Sequence, residues 1–165
     1  MKGNTYFFLE KFGNLAKSYY ICNKKEHSSN GLTCKTMDNI EQIINAITLT
    51  AKTGTYFAKC DGEYDEREEK FIATFLKAIK QISDIRSDTY GTIKASLDET
   101  ITLNNLINET KQLMSHFNAQ EQRVLKETIE QFIREIIAAD HKLSNEEHTN
   151  YAAWQKALND VSIVG

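Results

Sequence analysis

Apolar residues recur at intervals of three and four along most of this chain, the spacing that lines one face of an α-helix. Nowhere do they alternate convincingly with polar ones over four or more residues, as a half-buried strand requires. The pattern predicts an opening helix near 4–22 and a polar connector over 23–37. A helix over 39–60 follows on Ile40, Ile43, Ile44, Ile47, Ala51 and Ala58, and another over 66–86 on Phe71, Ile72, Phe75, Leu76, Ile79 and Ile82. A connector from Ser87 to Gly91 leads through a short helix to one over 97–116 on Leu97, Ile101, Leu106, Leu113 and Met114. The last two span 119–139, on Leu125, Ile129, Phe132, Ile133, Ile136 and Ile137, and 145–160, on Tyr151, Trp154 and Leu158.

Helix starts are also marked. In a capping box, a Ser, Thr or Asp and a Glu three residues later satisfy each other's unpaired backbone amides. The pattern occurs at Asp38/Glu41, Asp65/Glu68, Ser96/Glu99 and Ser144/Glu147, with Asn118/Glu121 as a variant. Proline is absent and glycine is sparse, so little interrupts long helices. The expected fold is all-α.

Composition narrows the function. A chain of 165 residues suits one core, and at that size roughly two-thirds of the unfolded surface can be buried without help from a disulfide or metal. The net charge of −3 and the lack of a long basic run argue against a nucleic-acid partner. Cys22, Cys34 and Cys60 make an odd number and lack CxxC spacing, which favours reduced thiols. His27 lies between Cys22 and Cys34, and could join them on a metal only if the connector folds back. Glu10, Lys11 and Asn14 interrupt the opening apolar run before it reaches the length of a signal core, and no stretch approaches a membrane span of ~20 residues. A cytoplasmic location is expected. The aromatic opening helix, Tyr6 through Ile21, covers the bundle or makes a peripheral membrane contact.

One internal repeat carries most of the information. Ala58 to Glu68 (AKCDGEYDERE) aligns with Ile137 to Glu147 (IAADHKLSNEE) at an offset of 79 residues. Each segment reads as a helix ending at an Asp, a short turn, a cap, and a Glu three residues on. The same offset pairs Ile72 with Tyr151, Phe75 with Trp154 and Ile79 with Leu158, so the buried face of the following helix repeats as well. Carboxylates at Asp65, Glu66, Glu68, Glu146 and Glu147 fall in a first helical turn, where the positive dipole end favours them. Asp61 and Asp140 differ. A carboxylate in a last turn faces free carbonyls, and is unfavourable unless it caps the turn, pairs with a base or binds a cation.

These two segments and their helical surroundings resemble the TerB-like family, named for tellurite-resistance proteins and also found at the start of a membrane-anchored DnaJ-type co-chaperone. The resemblance covers about residues 38–160. It implies a domain at 38–165, behind an uncovered segment at 1–37, folded as a bundle of about seven helices with two pseudo-symmetric helix-loop-helix units. It also implies a bacterial stress-response role and a divalent metal held by Asp61, Glu68, Asp140 and Glu147. Oxygen ligands favour Ca²⁺ or Mg²⁺; Asp65 and His141 are possible additional ligands, and His141 would shift the site toward Zn²⁺. The departures from the first unit are His141 opposite Gly62 and the cysteine at Cys60. An EF-hand does not fit, because Ile72 stands at position twelve, where a bidentate Glu is needed.

The rival reading is a protein-interaction module whose acidic face, including Asp61, Asp65, Glu63, Glu66, Glu69 and Glu146, docks a basic protein partner. Catalysis is not expected, since the chain lacks a GxSxG elbow, a phosphate-cradling glycine loop and a Cys-His pair at recognisable spacing. His116 and His148 sit among polar helical positions and read as solvated.

Overall fold

A computed structural model describes residues 34–62, 65–82, 87–139 and 144–159. The predicted opening helix, the connector up to residue 33, Cys22 and His27 lie outside these residues. Among the described residues every regular element is helical: α1 (Cys34–Phe57), α2 (Glu66–Ile82), α3 (Ser87–Ser96), α4 (Leu103–Met114), α5 (Ala119–Ala139) and α6 (Asn145–Asn159).

Helix α5 spans the residues its periodicity predicts, because the Asn118 side chain caps it. Asn118 Oδ1 accepts from the Gln120 and Glu121 amides at 3.0 Å, and Glu121 Oε2 accepts from the Asn118 amide at 2.9 Å. Elsewhere three expectations are corrected. Helix α1 begins at Cys34, inside the predicted connector, so Asp38 lies within the helix and not at its start. The predicted connector from Ser87 to Gly91 is helical; Gly91 lowers helix propensity without forbidding it. The helix predicted from residue 97 begins only at Leu103. There Thr102 Oγ1 accepts from the Asn105 amide at 3.2 Å, whereas the Ser96 hydroxyl turns back to donate to Ile93 O at 2.7 Å. A capping sequence fails as a start when its hydroxyl finds a carbonyl behind it.

The core centres on α1 and α5. Helix α5 packs on α1 and α2, α4 packs on α1 and α6, and α3 rests on α1. Ile47, Phe57, Leu125, Ile129, Phe132, Ile133 and Ile136 are all fully enclosed. Thr50, Thr53 and Thr55 also lie on the buried part of α1, and each hydroxyl donates to the carbonyl four residues back, which removes the penalty of a bare buried donor. The two central helices approach closely at Gly54. A Cβ built there would lie 2.4 Å from Phe132 Cε1, and the Phe132 ring in turn packs on Phe75 and Phe71, with centroids 4.5 and 5.4 Å away. No helix among the described residues is long and apolar enough to cross a membrane.

Candidate functional site

The first acidic turn forms where α1 tightens and stops. The Ala58 amide still donates to Gly54 O, but Lys59 and Gly62 donate only three residues back, to Tyr56 O and Lys59 O. Gly62 then takes a φ of 83°, a left-handed conformation in which a side chain would be strained. Asp61 is therefore exposed in the turn beyond the helix, not in its last helical turn as the spacing predicts.

Helix α2 starts on Asp65. Its Oδ1 accepts from the Arg67 amide at 2.7 Å, and its carboxylate holds the Arg67 guanidinium through two contacts of 2.9 and 3.0 Å. Glu68 reaches back, so that its Oε2 accepts from the Asp65 amide at 3.2 Å. Helix α6 starts on Ser144 with a reciprocal box: Glu147 Oε2 accepts from the Ser144 amide at 2.7 Å, and Ser144 Oγ from the Glu147 amide at 3.1 Å. Both glutamates are only 3% exposed. Capping alone does not demand this, because Glu121 makes the same contact at the start of α5 and stays partly exposed.

Burial also matches across the 79-residue offset. Phe75 and Trp154 are both enclosed, as are Phe57 and Ile136. Ile72 is buried where its counterpart Tyr151 is partly so, and Tyr151 Oη accepts from Arg134 Nε at 2.9 Å and Gln155 Nε2 at 3.0 Å. The larger, polar-tipped residue thus uses its position at the rim.

Cys60 connects the first turn to the start of α6. Its thiol donates to Phe57 O at 3.4 Å and also shares a hydrogen bond with the Asn150 side chain. Burial pushes the thiol up to about 11; the Asn150 bond opposes this, and the carboxylates of Glu147 and then Asp61 add to it. A thiol held protonated in this way is a poor nucleophile. Burial, and then Cys60, raise the neighbouring Tyr56 phenol as well.

The charges of Glu147 and Asp61 thus both act on the Cys60 thiol, while Glu68 and Glu147 each cap their own helix. Asp140, His141 and Glu63 lie outside the described residues. Glu66, Glu69 and Glu146 are exposed, as are His116 and His148. No three His, Cys, Asp or Glu side chains group as a metal site among the described residues. Sequence reasoning missed the roles of Cys60 and Asn150. The register held one signal: Asn150 falls opposite Phe71, so a polar side chain occupies a half-buried slot.

Comparison with known proteins adds no relative: no family model, no curated protein and no solved structure matches this chain.

Proposed function

We propose that this chain is a TerB-like, non-catalytic stress-response module of the cytoplasm, in which two related inter-helix turns bind one divalent cation. In this reading α1–α2 and α5–α6 are the pseudo-symmetric units, and the predicted opening helix completes a bundle of seven. Asp61 and Asp140 supply one carboxylate from each turn, Glu68 and Glu147 one from each following helix, and Asp65 and His141 stand by as additional ligands.

The observation that supports this most is the burial of Glu68 and Glu147 at 3% exposure, against the partly exposed Glu121 in the same capping role. Enclosing an ionised carboxylate is unfavourable by several kcal/mol unless charge or hydrogen bonds offset it. A cation at these two equivalent positions would add to the hydrogen bonds that already offset it. The donor set fits a hard cation: each capping glutamate spends Oε2 on a backbone amide, and a carboxylate offers about four lone-pair sites over its two oxygens. Ca²⁺ or Mg²⁺ suits such oxygens, with Zn²⁺ favoured only if His141 ligates.

The test is a calorimetric titration of the full chain with Ca²⁺, Mg²⁺, Mn²⁺ and Zn²⁺, paired with thermal unfolding. Saturable heat is expected with at least one ion, together with a rise in thermal midpoint; a ligand at one hundred times its Kd stabilises by about 2.7 kcal/mol. Absence of both signals with all four ions rejects the reading.

A second reading rests on the exposure of Asp61, Glu66, Glu69 and Glu146. These acids form a face that docks a basic protein without metal, and binding of that kind weakens steeply with salt. Reversing their charges should abolish capture of that protein; unchanged capture counts against the face.

A further inference from the structure

Away from the acidic turns, α1 and α4 flank an open cleft of about 420 Å³, within the roughly 300–1,000 Å³ typical of small-molecule sites. Asn45, on its wall, lies about 18 Å along α1 from the helix end at Phe57, taking 1.5 Å per residue. Leu49 and Leu113 give the cleft buried apolar lining. Lys52 Nζ donates to both oxygens of Glu109 at 2.8 Å, so those two charges offset each other. The exposed carboxylate of Glu41 is then in excess. Next to it Gln42 Oε1 is buried and has no hydrogen-bond partner among the described residues. A buried acceptor without a donor is unfavourable, and a ligand that supplies the donor removes that penalty. Gln42 lines the cleft and is only half-buried as a residue, so a turn about its last torsion can present the oxygen to the cleft.

We propose that this cleft binds a small organic cation, whose ammonium or guanidinium group donates to Gln42 and pairs with Glu41 while a short aliphatic stem lies on Leu49 and Leu113. A free amine and the side chain of an arginine or lysine share this chemistry.

The test is an NMR titration of the isotope-labelled full chain with agmatine, spermidine and a short end-blocked peptide containing one arginine; Mg²⁺ serves as a control for unspecific charge. Amide shifts confined to residues 41–52 and 109–116, saturating near about 1 mM, are expected for at least one of the three. Glu41→Gln and Gln42→Leu should each weaken binding about tenfold, and Gln42→Leu should leave the thermal midpoint unchanged or higher. Tighter binding of agmatine or spermidine supports a free-amine ligand; tighter binding of the peptide supports a side chain of a partner. No localised shift with any of the three, equal binding by the variants, or the same shifts with Mg²⁺ overturns the proposal.

Discussion

Replacing Gly54 by alanine tests the packing of the two central helices, because it sets two effects of opposite sign against each other. Alanine in a helix interior is favoured over glycine by about 1 kcal/mol. The new methyl, however, would sit 2.4 Å from Phe132 Cε1 and 3.0 Å from Cδ1. Phe132 has no exposed surface, and the rings of Phe75 and Phe71 pack against it. Overpacking of this kind costs about 1–3 kcal/mol, so a net loss of up to about 2 kcal/mol is expected. For a chain of this size that lowers the thermal midpoint by roughly 2–4 °C per kcal/mol. Urea unfolding should show an earlier midpoint with an unchanged slope. Gly91→Ala is the internal control: nothing lies within 4 Å of a Cβ at that helical position, so it should stabilise by up to about 1 kcal/mol. Gly54→Ala combined with Phe132→Leu should lose less than the sum of the two single changes, because the smaller side chain relieves the clash. Stabilisation by Gly54→Ala, matching that at Gly91, would refute the close approach.

Other consequences follow from the turns. Glu147→Gln keeps an oxygen for the Ser144 amide but weakens the other contacts of a buried carboxylate, so without metal it should lower stability by about 1–3 kcal/mol in urea unfolding. Glu121→Gln at the partly exposed cap should lose about 0.5 kcal/mol through the helix dipole; equal losses at both sites would mean that the burial of Glu147 adds nothing to its capping role. In a chain with Cys22→Ser and Cys34→Ser, Cys60 should alkylate about tenfold more slowly at pH 8 than an unstructured thiol. Its rise from 9.0 to about 11 cuts the thiolate fraction about a hundredfold, and the greater nucleophilicity of a more basic thiolate restores about a factor of ten. The same rise favours the folded state while the thiol is protonated, so this contribution is present in full below pH 9.0 and is lost as pH climbs toward 11. Reaction as fast as that of an unstructured thiol would contradict the contacts drawn for Cys60.

Helix identity was legible where periodicity and capping agree, as at α5, where Asn118 and Glu121 mark the start and five buried apolar residues fix the inward face. It was misread where one local signal stood alone. Ser96 and Glu99 have the spacing of a box, yet the Ser96 hydroxyl bonds backward, and the true cap, Thr102, has Asn105 in place of the usual acid. The segment from Ser87 to Gly91 is predicted as a connector, but its glycine weakens a helix by only about 1 kcal/mol, less than packing can return. In the candidate site, the capping roles of Glu68, Glu147 and Ser144 were readable because they depend on residues three apart. Their burial was not, since it depends on how distant helices pack. The same holds for Cys60, whose contact with Asn150 spans 90 positions of sequence.

Binding of one ion between the two turns is tested most directly by anomalous diffraction from crystals of the full chain grown with Mn²⁺. A single anomalous peak between the Asp61 and Asp140 turns, lost in Asp61→Asn, is the expected result. Crystals that diffract well and show no peak near either turn, or a peak that persists in Asp61→Asn, would contradict it.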